Sequence, residues 1–213
     1  QIKQLEKNFT KDSVVQYRAN EKIEIKLITN HYYIPLLLSE TEKADYIYHI
    51  IKTKSEVDFI HRLEEYLEDK KNIFKTFDWW FFSKLDETLD KIYIPYYNPK
   101  TNKIEKFKPD FIFWLKKDTN YTILFIDPKG TEHTDGYRKI DGYSRIFEVE
   151  HNGKKICKCF DVDGSKFGIN GQLIVKTKLL LFTNKDKASV EKEYEKYWFD
   201  NFEDFAKKIE AIN

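Results

Sequence analysis

The sequence predicts an α/β (α+β) fold, on the strength of three observations about how apolar residues are spaced. Apolar residues recur at helical intervals over residues 55–69. Aromatic and β-branched runs with strand character follow between residues 74 and 126. A second helical pattern covers residues 137–148, and the run LIVKTKLLLFT over 173–183 reads as a strand. Hydrophobic residues make up 41% of the chain and aromatic residues 16%, which is enough for a sizeable core and argues against disorder.

The charge and the ends of the chain limit the class of protein. Lys and Arg number 37 against 36 Asp and Glu, so net charge gives no sign of a nucleic-acid partner, and any binding surface must come from local segregation of charge. The sequence shows no signal peptide and no apolar run long enough to span a bilayer, so no membrane partner and a reducing, cytoplasmic setting are expected. The chain starts at Gln1 and contains no Met, from which we expect a piece of a longer protein. Residues 1–54 are interpreted as a flanking segment, which either connects to a preceding domain or packs as a structural extension on the domain that follows.

The first helix is predicted over residues 55–69. Ser55 and Asp58 form an S-x-x-D capping pattern at its start. Glu56 lies in the first turn, where the helix dipole favours a carboxylate, and this is its simplest interpretation. Asp58, Glu64 and Glu65 compete with it for any catalytic role. The predicted apolar stripe consists of Val57, Ile60, Leu63 and Leu67.

An antiparallel hairpin is predicted from residues 106–115 and 121–126, joined by the polar turn 116–120. In such a hairpin the start of the first strand lies beside the end of the second, so Asp110 should come close to Asp127. Lys129 is two residues after Asp127 and therefore points to the same face in an extended backbone. Two carboxylates and one lysine thus converge at one end of the sheet. They could form a structural salt bridge or hold a divalent cation, and spacing alone leaves both open.

The remaining elements are predicted as follows. Residues 74–82 and 91–97 form strands in which Trp79 to Phe82 mainly fill the core, with stacking on bases as the alternative. The helix over 137–148 exposes Arg138, Lys139 and Arg145, of which Lys139 is the favoured phosphate contact because it lies about one turn past the candidate site. His133 is either incidental or a base or metal ligand. Residues 151–171 form a hairpin insertion, and 188–212 form a helix. Cys157 and Cys159 are expected to be reduced and on one face of a strand.

Two short motifs carry a resemblance to a known family. Pro109-Asp110, followed by Asp127-Pro128-Lys129, resembles the signature of the PD-(D/E)xK, or restriction-endonuclease-like, nuclease superfamily. Within it the chain is most similar to the C-terminal endonuclease domain of the Res subunit of type III restriction enzymes and related helicase-nuclease fusions. The resemblance covers roughly residues 55 to 200 and implies an αβββαβ core, with a mixed central sheet flanked by helices, in a nuclease domain of residues 55–213. Its further supports are Ser55-Glu56-Val57, Trp79-Trp80-Phe81 and Lys139-Ile140.

The resemblance also implies roles for individual residues. Asp110 and Asp127 would bind Mg²⁺, with Mn²⁺ as a possible substitute, and Glu56 would complete or support the metal site. Lys129 would orient the attacking water and stabilise developing charge, with Lys139 as an auxiliary residue. The implied substrate is double-stranded DNA. The implied partners are a helicase or translocase domain in the same longer chain and a modification (methyltransferase) subunit.

Some features depart from that family or leave other functions open. Asp127 stands where a longer Glu is frequent in such relatives, and the 151–171 insertion has no counterpart we can match. No G-x-x-x-x-G-K-[ST] motif occurs in the chain, so any ATP-driven translocation must lie outside it. The alternatives are a catalytically inactive nucleic-acid-binding or subunit-docking module, and a nuclease used in repair, recombination or RNA processing.

Overall fold

A computed structural model of the chain describes residues 15–20, 23–27, 36–39, 50–51, 53–86, 90–128, 135–167, 170–183 and 190–210. These residues include three α-helices: α1 (Lys54–Glu68), α2 (Asp135–Phe147) and α3 (Phe202–Glu210). None of the helices within these ranges combines the length and the apolar character that a membrane crossing requires.

A small sheet lies at the N-terminal end of the chain. Strands β1 (Val15–Asn20), β2 (Ile23–Leu27), β3 (Leu36–Ser39) and β4 (Ile50–Ile51) follow one another in order. Apolar and charged residues alternate in the sequence from Ile23, in agreement with strand β2, and β3 follows Pro35 in the sequence. The link from residues 1–54 to a preceding domain stays a prediction.

The central sheet is mixed, as the sequence predicted. Its strands are β5 (Trp79–Lys84), β8 (Phe111–Lys117), β9 (Asn120–Pro128), β12 (Cys159–Asp163), β13 (Gln172–Phe182) and β14 (Trp198–Phe199), whereas β6 (Ile94–Asn98) and β7 (Lys103–Phe107) pair separately. The strand order is β12-β13-β9-β8-β5, with β14 also pairing β13. The β5, β8 and β9 pairings are antiparallel, whereas β9 and β13 run parallel. A separate antiparallel hairpin, β6–β7, is inserted between β5 and β8.

Helices cover both faces of this sheet, so the fold has three layers. Strand side chains alternate between the two faces, which divides the core into two clusters. Phe59 and Leu63 of α1 and Phe205 of α3 pack with one cluster. Ile140 and Tyr143 of α2 pack with the other, together with the β6–β7 hairpin. The mixed α/β architecture with flanking helices is therefore confirmed.

Helix α1 begins one residue earlier than predicted and with a different N-cap. Thr53 is the N-cap residue, and Ser55 lies inside the helix, so the predicted Ser55–Asp58 capping pattern is wrong. The frame set by Thr53 makes Glu56 the third helical residue, where a carboxylate is favoured by unsatisfied backbone N–H groups. Phe59 joins Ile60 and Leu63 on the buried stripe, while Val57 and Leu67 pack at its edge.

Two predicted strands have different boundaries in the structure, because parts of each pack against different elements. Residues Ile73–Thr76 form a 3₁₀ turn, so the strand predicted from Phe74 begins only at Trp79. The strand predicted over 106–115 divides into β7 and β8, with Lys108 to Asp110 between them. In this way β7 pairs with β6, while β8 joins the central sheet.

The helix predicted over 188–212 is wrong for most of its length. Within residues 190–210 only Phe202–Glu210 is α-helical, and Trp198–Phe199 pairs in parallel with β13. Tyr197, Trp198 and Phe199 are consecutive and all buried, which one helical stripe does not permit. Asn201 accepts a hydrogen bond of 2.8 Å from the backbone N–H of Asp204 and so caps the shorter helix.

The predicted insertion contains a hairpin that starts earlier than expected. Strands β10 (Glu148–His151) and β11 (Lys154–Cys157) form it, and β12 then pairs with β13. Cys157 and Cys159 are both free thiols, as predicted. Lys158 separates them onto different strands, so their placement on one strand face is wrong.

Candidate active site

A buried ionic cluster lies at one end of the central sheet and joins α1, β5 and the start of β8. The Lys84 Nζ is 3.3 Å from Glu56 Oε2 and 3.3 Å from Asp110 Oδ1. The side chains are only 10%, 8% and 12% exposed for Lys84, Glu56 and Asp110 respectively. Two carboxylates from distant parts of the chain therefore converge on one cation, largely out of water.

Each member of the cluster is placed by a different element. Lys84 is the last residue of β5 and shares a sheet face with the buried Trp80 and Phe82, because side chains alternate along a strand. Glu56 projects from the first turn of α1, which packs on that face. Asp110 immediately precedes β8, and its carbonyl accepts a 2.7 Å hydrogen bond from the Leu85 N–H. That backbone bond fixes the Asp110 residue beside the end of β5.

Burial and ionic contacts oppose each other in this cluster. Burial raises the pKa of Glu56, and the attraction of Lys84 only partly reverses the rise, to which the Asp110 charge adds. For Lys84, burial lowers the pKa, but the attractions of Asp110 and Glu56 outweigh it and leave the pKa raised. The two acidic groups thus hold Lys84 in its charged form, while Glu56 carries its own charge at a cost.

Asp127 lies at the same end of the sheet, as the predicted hairpin requires. The register pairs Phe111 with Ile126, so Asp110 and Asp127 are the next residues outward on adjacent strands. Asp127 sits opposite Leu181 of β13 and is 0% exposed. A carboxyl group in the interior of a central strand is unusual, because burying a charge is costly without compensation.

The structure describes some of the residues predicted to bind a metal or the phosphate, and others lie outside the described ranges. Within the residues that the structure describes, no group of three or more His, Cys, Asp or Glu side chains is arranged to hold a metal ion. Lys129 and His133 lie outside the described residues. The Lys139 Nζ lies 4.8 Å from the centre of the Phe107 ring, on the side of α2 that faces the end of β7. The roles of Glu56, Asp110 and Asp127 as metal ligands stay predictions.

Lys84 was not among the residues that the sequence singled out. Its signal was available, since it continues the alternation of Trp80 and Phe82 on the buried face of a strand. A lysine at such a position needs an anionic partner, because a charged ammonium is costly to bury alone. What spacing did not supply was the pairing of β5 with β8, which brings Lys84 beside Asp110.

The residues that competed for catalytic roles lie elsewhere. On α1, Glu64 Oε2 is 3.5 Å from His61 Nδ1, and Glu65 is exposed. Arg138 on α2 donates a 3.1 Å hydrogen bond to Asn98 Oδ1 of the β6–β7 hairpin, and Arg145 is exposed. Of the predicted core aromatics, Trp80 and Phe82 are buried, whereas Phe81 is 40% exposed.

Comparison with known proteins gives a family for most of the chain. The family model described as the YagJ family matches residues 47–204. The chain belongs to the YagJ family. In this YagJ-family chain the matched range includes Glu56, Lys84, Asp110 and Asp127, and it ends within the first turn of α3, at residue 204. No curated protein and no solved structure matches the chain.

Proposed function

We propose that this chain contains a metal-dependent endonuclease domain that hydrolyses DNA phosphodiester bonds. One observation carries the proposal. Buried Glu56 and Asp110 converge on a lysine at the end of the sheet where Asp127 is also buried. Buried ionisable groups gathered at one place cost stability and are most common where chemistry requires them.

The order of the elements supports the restriction-endonuclease-like interpretation. Leaving out the inserted β6–β7 and β10–β12 segments, α1, β5, β8, β9, α2 and β13 follow one another as helix, three strands, helix and strand. The first three strands are antiparallel neighbours, and the fourth is parallel to the third. This order agrees with the αβββαβ core implied by the Asp110 and Asp127 motifs.

The donor set suits a hard divalent cation. Carboxylate oxygens are the ligands that Mg²⁺ and Mn²⁺ prefer, and Glu56 with Asp110 already surrounds a positive charge. We assign Asp110 and Asp127 as the holding residues, with Glu56 in support. When bound, the ion would act as a Lewis acid on the phosphate and would lower the pKa of a water. The charge on Lys84 would fix the carboxylate positions and, with Lys129, would counter negative charge on the phosphate.

The proposed setting follows from the family resemblance and the composition. Double-stranded DNA is the proposed substrate, delivered by a helicase or translocase domain in a longer chain of the type III restriction kind, with a methyltransferase subunit as a further partner. The near-zero net charge is consistent with a partner that contributes binding energy. A cytoplasmic location belongs to this proposal, and free Cys157 and Cys159 suit a reducing compartment.

A second candidate function is a nucleic-acid-binding or subunit-docking module of the same fold that does not cut. One observation favours it. Glu56 and Asp110 are already paired with the Lys84 ammonium, and the described residues contain no three-ligand metal group. In that case the cluster would serve as a structural ion pair. A repair or RNA-processing nuclease would differ from the first proposal in substrate only.

Metal-dependent cleavage by the longest available protein tests the proposal. Plasmid, linear duplex, single-stranded DNA and RNA are incubated with Mg²⁺ or Mn²⁺, with ATP and partner subunits where these are known. We expect cutting that EDTA abolishes and that Asp127→Asn and Lys129→Ala each reduce at least about 100-fold. Glu65→Gln is the matched control, because Glu65 is exposed on α1 and should leave cleavage unchanged.

Calorimetric titration with Mn²⁺ gives a reading that does not depend on turnover. Binding by the parent protein that is lost in Asp127→Asn and kept in Glu65→Gln supports the assigned site. If the folded protein, with its partners present, neither bound metal nor cut any substrate, the result would contradict the endonuclease proposal and support the non-cutting binding or docking module. RNA as the only substrate cut would select the RNA-processing alternative.

A further inference from the structure

A second polar site lies away from the Lys84 cluster, at a gap along the edge of the central sheet. On that edge β13 pairs with β12 through residues 172–176 and with β14 through residues 181–182. Between them, the Thr177 carbonyl accepts a 2.6 Å hydrogen bond from the Tyr143 hydroxyl. A cavity of about 310 Å³ opens there, which is at the lower end of the size range of small-molecule sites.

The charge of the cavity lining is strongly positive. Among the residues that the structure describes, its lining includes one acidic residue, Glu148, and four lysines, Lys155, Lys176, Lys178 and Lys196. That carboxylate is already shared, since Lys196 Nζ lies 2.9 Å from its Oε1 and the Tyr197 hydroxyl donates to its Oε2. With four lysines and one acidic residue, the described part of the lining carries a formal excess of positive charge.

Among the lysines of the lining, Lys178 is partly buried on β13. Its Nζ donates a 3.0 Å hydrogen bond to the Lys208 carbonyl, which uses one of its three N–H groups. Burial lowers the pKa of Lys178, and the charges of Lys208 and Lys196 lower it further, against opposite effects from Cys157 and Glu148. An anion bound in the cavity would offset both the desolvation and the mutual repulsion of these lysines.

We propose that this cavity is a binding site for a phosphate group, with Lys176 and Lys178 as its main ligands. Several ammonium groups around one small volume provide the charge and the N–H donors that a phosphate dianion requires. The phosphate could belong to a small molecule or to the end of a nucleic-acid strand. The proposal does not depend on nuclease activity, because the cavity is lined by residues outside the Lys84 cluster.

Thermal unfolding with inorganic phosphate tests this site in metal-free buffer. At phosphate ten times its dissociation constant we expect the unfolding midpoint to rise by about 3–6 °C relative to chloride of equal ionic strength. Lys178→Met and Lys176→Met should each lose most of this rise. Lys70→Met is the matched control, since Lys70 is exposed at the far end of α1 and should keep it. An equal response to phosphate in all four proteins would overturn the proposal.

Alkylation of Cys157 gives a second reading that does not rely on the stability of the variants. Cys157 lines the cavity, and Cys159→Ser removes the other thiol. Iodoacetate is anionic and iodoacetamide is neutral, so a cationic cavity should raise the rate of alkylation of Cys157 by iodoacetate relative to the rate by iodoacetamide. Bound phosphate should return this ratio of rates toward the value for a free thiol in solution. A ratio that phosphate and Lys178→Met leave unchanged would contradict the site.

The same titration separates the two sources of phosphate. A 5′-phosphorylated oligonucleotide that protects Cys157 better than its unphosphorylated form would support the site and assign it to strand ends. Protection by inorganic phosphate and AMP, with none from either oligonucleotide, would support the site and assign it to small molecules. Protection by none of these probes would count against a phosphate site altogether. Because no divalent metal is present, failure here leaves the endonuclease proposal untouched.

Discussion

Glu56 shows at the scale of one residue how a site can oppose stability. Its carboxylate is 8% exposed and lies 3.3 Å from Lys84 Nζ, yet burial still leaves its pKa raised. A raised pKa means that the folded protein disfavours the charged form relative to water. Charge at this position therefore costs folding free energy, which is what a functional carboxylate would do and a purely structural one need not.

Replacing Glu56 with Gln should separate function from stability. The amide keeps the shape but removes the buried charge, so at pH 7 we expect the free energy of unfolding to stay the same or rise by up to about 1 kcal/mol. Metal affinity or cleavage should fall by about 10–100-fold, as expected for a supporting group. Urea unfolding and Mn²⁺ titration measure the two effects. A loss of stability above 2 kcal/mol would instead indicate a structural ion pair.

The pH dependence supplies a signature that is specific to Glu56. Its folded pKa is above the unfolded value of 4.5, so its contribution to stability is fully present below pH 4.5 and is lost as the pH rises through the folded pKa. Relative to Glu56→Gln, the parent protein should therefore gain stability as the pH falls from 7 to 4.5. If the stability difference between the parent protein and Glu56→Gln did not change with pH, the pKa of Glu56 would be the same in the folded and unfolded protein.

At the scale of elements, α2 packs closely against the β6–β7 hairpin in the second core. Gly142 lies on the face of α2 that touches β6, and a Cβ atom there would be 2.6 Å from the Pro95 carbonyl oxygen and 2.7 Å from Tyr96 Cβ. Backbone atoms cannot move aside as a flexible side chain would. The hairpin can pack on α2 only because residue 142 has no side chain.

Gly142→Ala should therefore destabilise the protein although alanine favours helices. We expect a loss of about 1–3 kcal/mol from overpacking, which exceeds the helix-propensity gain of about 1 kcal/mol. Gly136→Ala on the same helix is the matched control, because among the described residues its Cβ would meet only Trp198 Cζ2, at an ordinary contact distance of 3.6 Å. Denaturant unfolding of the two variants is the measurement. Equal stability changes for both would mean that α2 and the hairpin are not in close contact.

At the scale of the whole molecule, buried tyrosines link stability to alkaline pH. Tyr143 and Tyr197 lie in the second core, and burial raises the pKa of both above the ordinary value of 10. The Glu148 carboxylate, which accepts the Tyr197 hydroxyl, adds to the rise at Tyr197. The folded protein therefore retains protons that the unfolded chain releases.

The stability of the whole protein should fall as the pH rises above 10. The contribution of each raised tyrosine is fully present below the unfolded pKa of 10 and declines above it. Urea unfolding is measured at pH 8 and pH 10.5, with tyrosinate absorbance followed at 295 nm. At pH 10.5 we expect a lower urea midpoint than at pH 8 and a rise in tyrosinate absorbance on unfolding. Tyr143→Phe should reduce the pH dependence. If the rise in absorbance on unfolding at pH 10.5 were as large in Tyr143→Phe as in the parent protein, this result would contradict the burial of the Tyr143 hydroxyl.

The sequence by itself determined the elements that depend on local periodicity and turn chemistry. Helix α1, strands β8, β9 and β13, and most of helix α2 follow from apolar spacing, which acts along a few neighbouring residues. The Asp110–Asp127 hairpin was also predictable, because antiparallel pairing of adjacent strands requires only a short turn. These local signals sufficed to bring two acidic residues to one end of a sheet.

Only the tertiary structure decided which distant residues meet. Lys84 reaches Glu56 and Asp110 because β5 pairs with β8 while α1 packs on the same face, and nothing in the local spacing of Lys84 specifies those neighbours. The predicted 188–212 helix failed for the same reason, since the parallel pairing of β14 with β13 overrides local helical preference. Burial against the rest of the chain is a long-range property. Burial therefore decides whether a lysine joins an ionic cluster and whether an aromatic run forms a strand, and the local sequence pattern does not specify either.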